Sequence, residues 1–188
     1  MKVRPVPVAL ILALLTGPAA AIAGAGEPVA PELPIKRFLK VSDHLYRGGQ
    51  PDDDGFRALR DLGIRTVISL REDPDERAVV ESLGMAFIHI PVTFDVFGGD
   101  LPGDAVQRFM EVVDNPANGP VFLHCRRGAD RTGAFVGLYR MTRQQWSLDR
   151  AYREARDVGM RWWYTDVKGE LRRWAHRLQE TAAAATAR

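Results

Sequence analysis

The chain has 188 residues, 46% of them hydrophobic and 27% charged, a length and balance that suit one globular domain with a sizeable core. Its formal net charge of +2 carries no global basic excess of the kind that nucleic acid or an acidic membrane would demand. Any preference for anions must therefore be local.

Residues 1–23 have the layout of a secretory signal peptide. "MKVR" supplies two cations, "PVPVALILALL" an apolar run, and Ala21-Ile22-Ala23 an A-x-A cleavage site. Cleavage is expected after Ala23, with Ala25 the neighbouring choice, and the product is expected to be exported, either periplasmic or secreted. The apolar run is short for a bilayer, so no stable membrane span is expected after cleavage. Cleavage would remove Lys2, Arg4 and no acid, taking the formal charge from +2 to about zero. The single cysteine, Cys125, has no intrachain disulfide partner. In an oxidising compartment a lone thiol is a liability, so its retention is informative; the alternative is a buried, inert cysteine.

Residues 24–36 are Pro-rich and read as a linker, residues 37–180 as the folded domain, and "TAAAATAR" (181–188) as a flexible tail. Within the domain, "RFLKVSDHLYRGGQP" predicts one or two short strands ending at Gly48-Gly49. "PDDDGFRALRDLG" predicts a helix with acids in its first turn and Gly63 beyond its end. "RTVISL" (65–70) predicts a buried strand, "DPDERAVVESLG" a second helix and "MAFIHIPV" another strand. "LPGDAVQRFMEVVDN" is amphipathic, with Val106, Phe109, Met110 and Val113 on one face. "PVFLHC" predicts the strand that runs into the cysteine, and three helical stretches follow. The last places Trp163, Val167, Leu171, Trp174 and Leu178 on one stripe, expected to cap the sheet; the flanking arginines leave a membrane or partner face as the alternative. This alternation predicts an α/β domain with a central, mainly parallel sheet flanked by helices. No oligomeric state is specified.

The turn between the last strand and the next helix, "HCRRGADRTG" (124–133), concentrates the chemistry. A strand, a tight polar turn and a helix N-terminus make backbone N–H groups converge on an anion. These donors and the guanidinium charge favour the thiolate of Cys125, the form that attacks. Arg131 can fold back over the turn and bind two phosphoryl oxygens with its planar fork. Thr132 can donate its hydroxyl to the sulfur, making it a better leaving group. Gly128 and Gly133 permit positive dihedrals and close helix-to-loop approach. One cysteine and the adjacent His124 are too few ligands for a metal. His124, next to Cys125 on a strand, should point to the opposite face as a buried support, which also disfavours a Cys/His catalytic pair. A nucleotide-binding loop would need Gly-Lys-Ser/Thr, which is absent.

The pattern Cys-x5-Arg-Thr-Gly between a strand and a helix resembles the signature of the cysteine-dependent tyrosine and dual-specificity phosphatases. "LYRGGQP", "GIRTVISLR", "FIHIPV" and "GLYRMTRQQWSLDRAYREA" extend the resemblance to the atypical dual-specificity branch, from Phe38 to Ala155. It implies a single-domain phosphatase-type fold, Cys125 as a nucleophile forming a phosphocysteine, and Arg131 as the phosphate ligand. Arg126, Arg127, Gly128, Ala129 and Asp130 complete the phosphate cradle, with no metal and no cofactor. It also implies a general acid on a loop some thirty residues before the cysteine, where Asp95 stands. Asp100 could replace it, although helix capping is the reading preferred for that residue. Asp130 is the third candidate, at a position where myotubularin-type lipid phosphatases carry an acid; the alternative for it is an ion pair with Arg126 or Arg127. The family's usual tryptophan-proline-aspartate wording is missing here. Arg47 would line the pocket rim.

The substrates implied are a phosphorylated protein, with phosphotyrosine or dual specificity, or alternatively inositol polyphosphates or phosphoinositides, toward which Arg126 and Arg127 would bias the mouth. The reading of another class is a catalytically poor phosphate-binding module.

Overall fold

The computed structural model describes residues 33–93, 101–163 and 166–186. The leader (1–23), Asp95 and Asp100 lie outside the described residues. Five strands form one sheet: β1 (Leu39–Lys40), β2 (Leu45–Gly49), β3 (Thr66–Ser69), β4 (Ala86–His89) and β5 (Val121–Cys125). Their spatial order is β1-β2-β5-β3-β4; β1 runs antiparallel to β2 and every other pair is parallel. The central strand is therefore the one that ends on Cys125. Its carboxyl end lies between those of β2 and β3, with Gly49 opposite Cys125 and Ser69 opposite His124. The crevice outside the carboxyl ends of parallel strands is where open α/β sheets place ligands.

Two helices, α1 (Asp53–Asp61) and α2 (Arg77–Ser82), cover one face of the sheet. The other face packs against α3 (Gly103–Asp114), α4 (Asp130–Arg143), α5 (Leu148–Asp157) and α6 (Asp166–Thr186). The alternation of side chains along a strand explains the two cores. Leu123 and Cys125 of β5 join Phe109, Phe135 and Leu171, whereas Phe122 joins Phe56, Leu59 and Phe87 on the α1/α2 side. Side chains as completely buried as Phe56 and Leu59 contribute roughly 1.5–3 kcal/mol each. The predicted apolar face of α3 is the buried one, with Val106, Phe109, Met110 and Val113 all in the core. α1 opens on Asp52, whose carboxylate accepts from Gly55 N at 2.8 Å.

Three boundaries differ from the sequence expectation. The folded domain begins before residue 37: Ile35 is buried against the α1/α2-side core, and Lys36 O accepts from Gly49 N at 2.7 Å. α6 continues to Thr186, past the start of the expected tail, as its alanine-rich sequence favours. Trp163 is not on the capping stripe, because the helix begins only at Asp166. Val167 and Leu171 are buried and Trp174 and Leu178 pack on the core, but Trp163 is 42% exposed.

Candidate active site

Cys125 closes β5 and is 3% exposed. It opens into a cavity of about 320 Å³ whose other lining residues are Glu72, Arg126, Arg127, Asp130, Arg131 and Arg161. Residues 126–129 turn the chain from β5 into α4. The turn's carbonyls are held from outside: Arg126 O accepts from Gln50 N at 3.3 Å, Arg127 O from Arg37 Nη1 at 3.1 Å, and Gly128 O from Arg47 Nη2 at 2.8 Å. In a trans peptide the carbonyl and the following N–H point opposite ways. The N–H groups of Arg127, Gly128 and Ala129 therefore face away from those three donors.

Gly128 has φ +70°, and a Cβ there would lie 2.3 Å from Gly48 C and Gly49 N. Only glycine fits both the dihedral and the contact. The second glycine of the motif serves packing: a Cβ on Gly133 would meet Met160 Cε at 2.9 Å and Ala155 Cβ at 3.4 Å, where α4 lies against α5.

Arg131 Nη1 donates to Leu70 O at 3.0 Å and Val92 O at 3.1 Å, and lies 3.8 Å from Glu72 Oε1. These bonds tie the guanidinium to the chain just beyond the ends of β3 and β4, on one side of β5. They also hold Val92, three residues before Asp95, beside the cavity. Asp130 lines the cavity, but its carboxylate is engaged. Oδ1 accepts from Arg161 N at 2.8 Å and Oδ2 from Arg127 Nη1 at 3.2 Å, with Arg161 Nε at 4.0 Å. The ion-pair alternative for Asp130 is thus the arrangement seen. Thr132 is fully buried, and its hydroxyl has no hydrogen-bond partner among the described residues. The expected bond to sulfur is not formed. Arg126 is exposed and Arg127 half-buried, both at the cavity.

Arg47 is not at the rim. It is fully buried beneath the turn, where burial pulls its guanidinium down to about 10 against the opposing charges of Glu154 and Cys125. At neutral pH it remains a cation under the loop. His124 points to the α1/α2 side, packed on Phe122 and Phe56. Burial, and secondarily the Arg71 guanidinium, push its imidazole down to about 3, so it is neutral. Its Nε2 lies 3.3 Å from Glu76 Oε1. The buried Glu76 carboxylate also accepts from Arg71 Nη1 at 2.9 Å and from Asp75 N at 3.0 Å, and Arg71 reaches Gln50 Oε1 at 3.1 Å. Arg161, Glu72 and this Glu76–Arg71 support carry no local sequence signal. Arg161 follows Arg131 by thirty residues, beyond a complete helix, and only the fold returns it to the cavity.

A family model described as DSP-PTPase phosphatase fused to NAD+ kinase matches residues 37–170. The chain belongs to the DSP-PTPase phosphatase family. This phosphatase is 30% identical to inositol diphosphatase DSP5 of Arabidopsis thaliana over 142 residues, covering 72% of this chain and 69% of that one. It is also 30% identical to the dual specificity protein phosphatase TpbA of Pseudomonas aeruginosa over 126 residues, 67% of this chain and 56% of TpbA. In fold, it superimposes on the core catalytic domain of the PP-IP phosphatase SIW14 from S. cerevisiae with a TM-score of 0.70, covering 82% of this chain and 94% of that one at 23% identity. The phosphatase therefore has the single-domain α/β fold, with the mainly parallel sheet, that its sequence pattern led one to expect.

Proposed function

We propose that the chain hydrolyses phosphomonoesters through a phosphocysteine, with phosphotyrosine or dual specificity. The observation that carries this reading is the opening of Cys125, at the end of the central strand, into a cavity walled by Arg131 and the turn's amide-rich backbone. The thiolate sulfur attacks phosphorus and the P–O ester bond breaks. The leaving oxygen takes a proton from the general acid, and water then hydrolyses the S–P bond to release phosphate. Arg131 has both Nη1 hydrogens on carbonyl oxygens, so its Nε–Nη2 edge is the one suited to a bidentate grip on the phosphoryl group. The amides of 127–129 complete the cradle, and Thr132 would turn its hydroxyl to the sulfur once phosphate is bound. The reaction as drawn needs no metal.

Asp95 is the preferred general acid. Both carboxylate oxygens of Asp130 are already engaged, by Arg161 N and Arg127 Nη1, which turns them away from the role of proton donor. Val92, held by Arg131, precedes Asp95 by only three residues in the chain.

Cys125→Ser tests the reading. Turnover of p-nitrophenyl phosphate should vanish while vanadate still binds; turnover unchanged in that variant would rule the mechanism out. A phosphate-binding module, by contrast, would show no turnover in the native chain.

A second substrate class is favoured by the four arginines on one cavity, more than one phosphate needs, and by relatives named inositol diphosphatases. Turnover of phosphotyrosine peptides compared with inositol hexakisphosphate and an inositol diphosphate separates the two. Activity confined to the inositol compounds would remove the protein assignment. Residues 1–23 support export, which N-terminal sequencing of the periplasmic or secreted protein would check.

A further inference from the structure

The cavity mouth sits on a face that is both basic and aromatic. Arg126, Arg127 and Arg161 line the cavity. Arg37 crosses behind the turn, donating from Nε to Val158 O at 2.9 Å and from Nη1 to Arg127 O at 3.1 Å, and Arg156 Nη1 donates to Met160 O at 2.5 Å. Arg37 and Arg156 thus brace the chain behind the turn, while Arg126, Arg127 and Arg161 are the guanidinium groups at the cavity itself.

Trp162 and Trp163 directly follow Arg161 and are 69% and 42% exposed. Their rings meet edge to face with centroids 5.6 Å apart, and the Arg161 guanidinium lies 5.3 Å from the Trp163 ring. Among the described residues, Leu39 is the other large apolar side chain left exposed. Isolated exposed apolar residues need no explanation, but two adjacent indoles rimmed by guanidinium groups at a cavity mouth mark an interaction surface.

We propose that this face docks on an anionic lipid surface, with Trp162 and Trp163 in the headgroup layer and the surrounding arginines on lipid phosphates. Indole suits that layer because an apolar ring and a polar N–H are accommodated together, and guanidinium pairs with phosphate. A soluble polyanion would occupy the arginines but leave both indoles in water. The formal charge of the whole chain is only +2, so the attraction is a property of this face and orients the protein with its cavity toward the bilayer. The use of such docking, bringing a membrane-borne phosphate ester to Cys125, rests on the phosphatase reading; the docking itself does not.

The full chain and its Trp162→Ala/Trp163→Ala variant should be compared on vesicles of phosphatidylcholine alone and of phosphatidylcholine with phosphatidylglycerol. The leader's apolar run is common to both proteins, so their difference reads the tryptophans. Affinity for the anionic vesicles should fall at least about tenfold in the variant, since burying only about 60 Å² of apolar surface is worth that factor. Brominated lipid should quench the native fluorescence but not the Trp146 and Trp174 emission that remains in the variant. Turnover of p-nitrophenyl phosphate in solution should be the same for both.

Equal binding of both proteins, or binding indifferent to the anionic lipid, overturns the proposal. So does a variant that binds vesicles normally but loses turnover on a phosphotyrosine protein, which would assign the tryptophans to a protein partner. A vesicle difference in a protein with no turnover on any phosphate ester sustains the docking and removes the phosphatase reading. Trp162→Ala alone, at the more exposed position, serves as a second variant should the double one fold poorly.

Discussion

Arg47 Nη2 donates to Gly128 O at 2.8 Å, which places a fully buried guanidinium from β2 directly beneath the turn that follows Cys125. The bond orients the Gly128 peptide, and the charge stabilises an anion above it. The coupling is mutual: a Cys125 thiolate favours the protonated guanidinium that burial opposes.

Replacing that arginine should therefore injure both stability and reactivity. Arg47→Met leaves the Gly128 carbonyl without its donor, a cost of about 1–3 kcal/mol. Urea unfolding would measure this. Turnover of p-nitrophenyl phosphate should also fall in the variant. Arg47→Lys keeps the charge and should retain more of the native rate. Unchanged turnover in Arg47→Met would remove the electrostatic role.

Gly128 and Gly63 offer a matched pair. Both have positive φ, +70° and +90°, but a Cβ at 63 meets nothing within 4 Å, whereas at 128 it meets Gly48 and Gly49 backbone at 2.3 Å. Gly63→Ala should cost about 1–2 kcal/mol from the dihedral alone and leave turnover intact. Gly128→Ala should cost more and lose most activity, because the turn itself must move. Thermal unfolding together with steady-state kinetics distinguishes the two.

The two acid candidates should separate by pH profile. Asp95→Asn should lower kcat by roughly 10²–10⁴-fold on substrates with poor leaving groups and abolish the basic limb of the profile. Asp130→Asn keeps an oxygen to accept from Arg161 N and loses the charge facing Arg127. That limb should then survive, with the main effect on KM. The reverse pattern would transfer the acid role to Asp130.

His124 makes stability depend on pH. Its folded pKa of about 3 lies below the ordinary value of 6.5, so between these limits the unfolded chain binds the extra proton. The contribution is fully retained above pH 6.5 and declines by about 1.4 kcal/mol per unit as pH falls toward 3. Urea midpoints at pH 7.5 and 5 should differ accordingly. His124→Asn should flatten the difference, whatever its effect on absolute stability; an equal slope would show the imidazole is not its source.

By itself, the sequence determined what is local. Strand and helix periodicity marked β3, β4, β5 and the buried face of α3, because side-chain alternation and the 3.6-residue turn are short-range. The spacing from Cys125 to Arg131 identified the turn for the same reason: strand, turn and helix start are contiguous. Tertiary structure alone decided what depends on register and packing. Pairing Gly49 with Cys125 puts Arg47 under the turn rather than at its rim. The return of the chain after α5 brings Arg161 to the cavity and ties Asp130 to its amide. Trp163 fits the helical stripe in spacing, yet the helix starts at Asp166 and the ring remains exposed. Partners distant in the chain leave no periodic trace, because their proximity is set by how the sheet and helices pack rather than by any one segment.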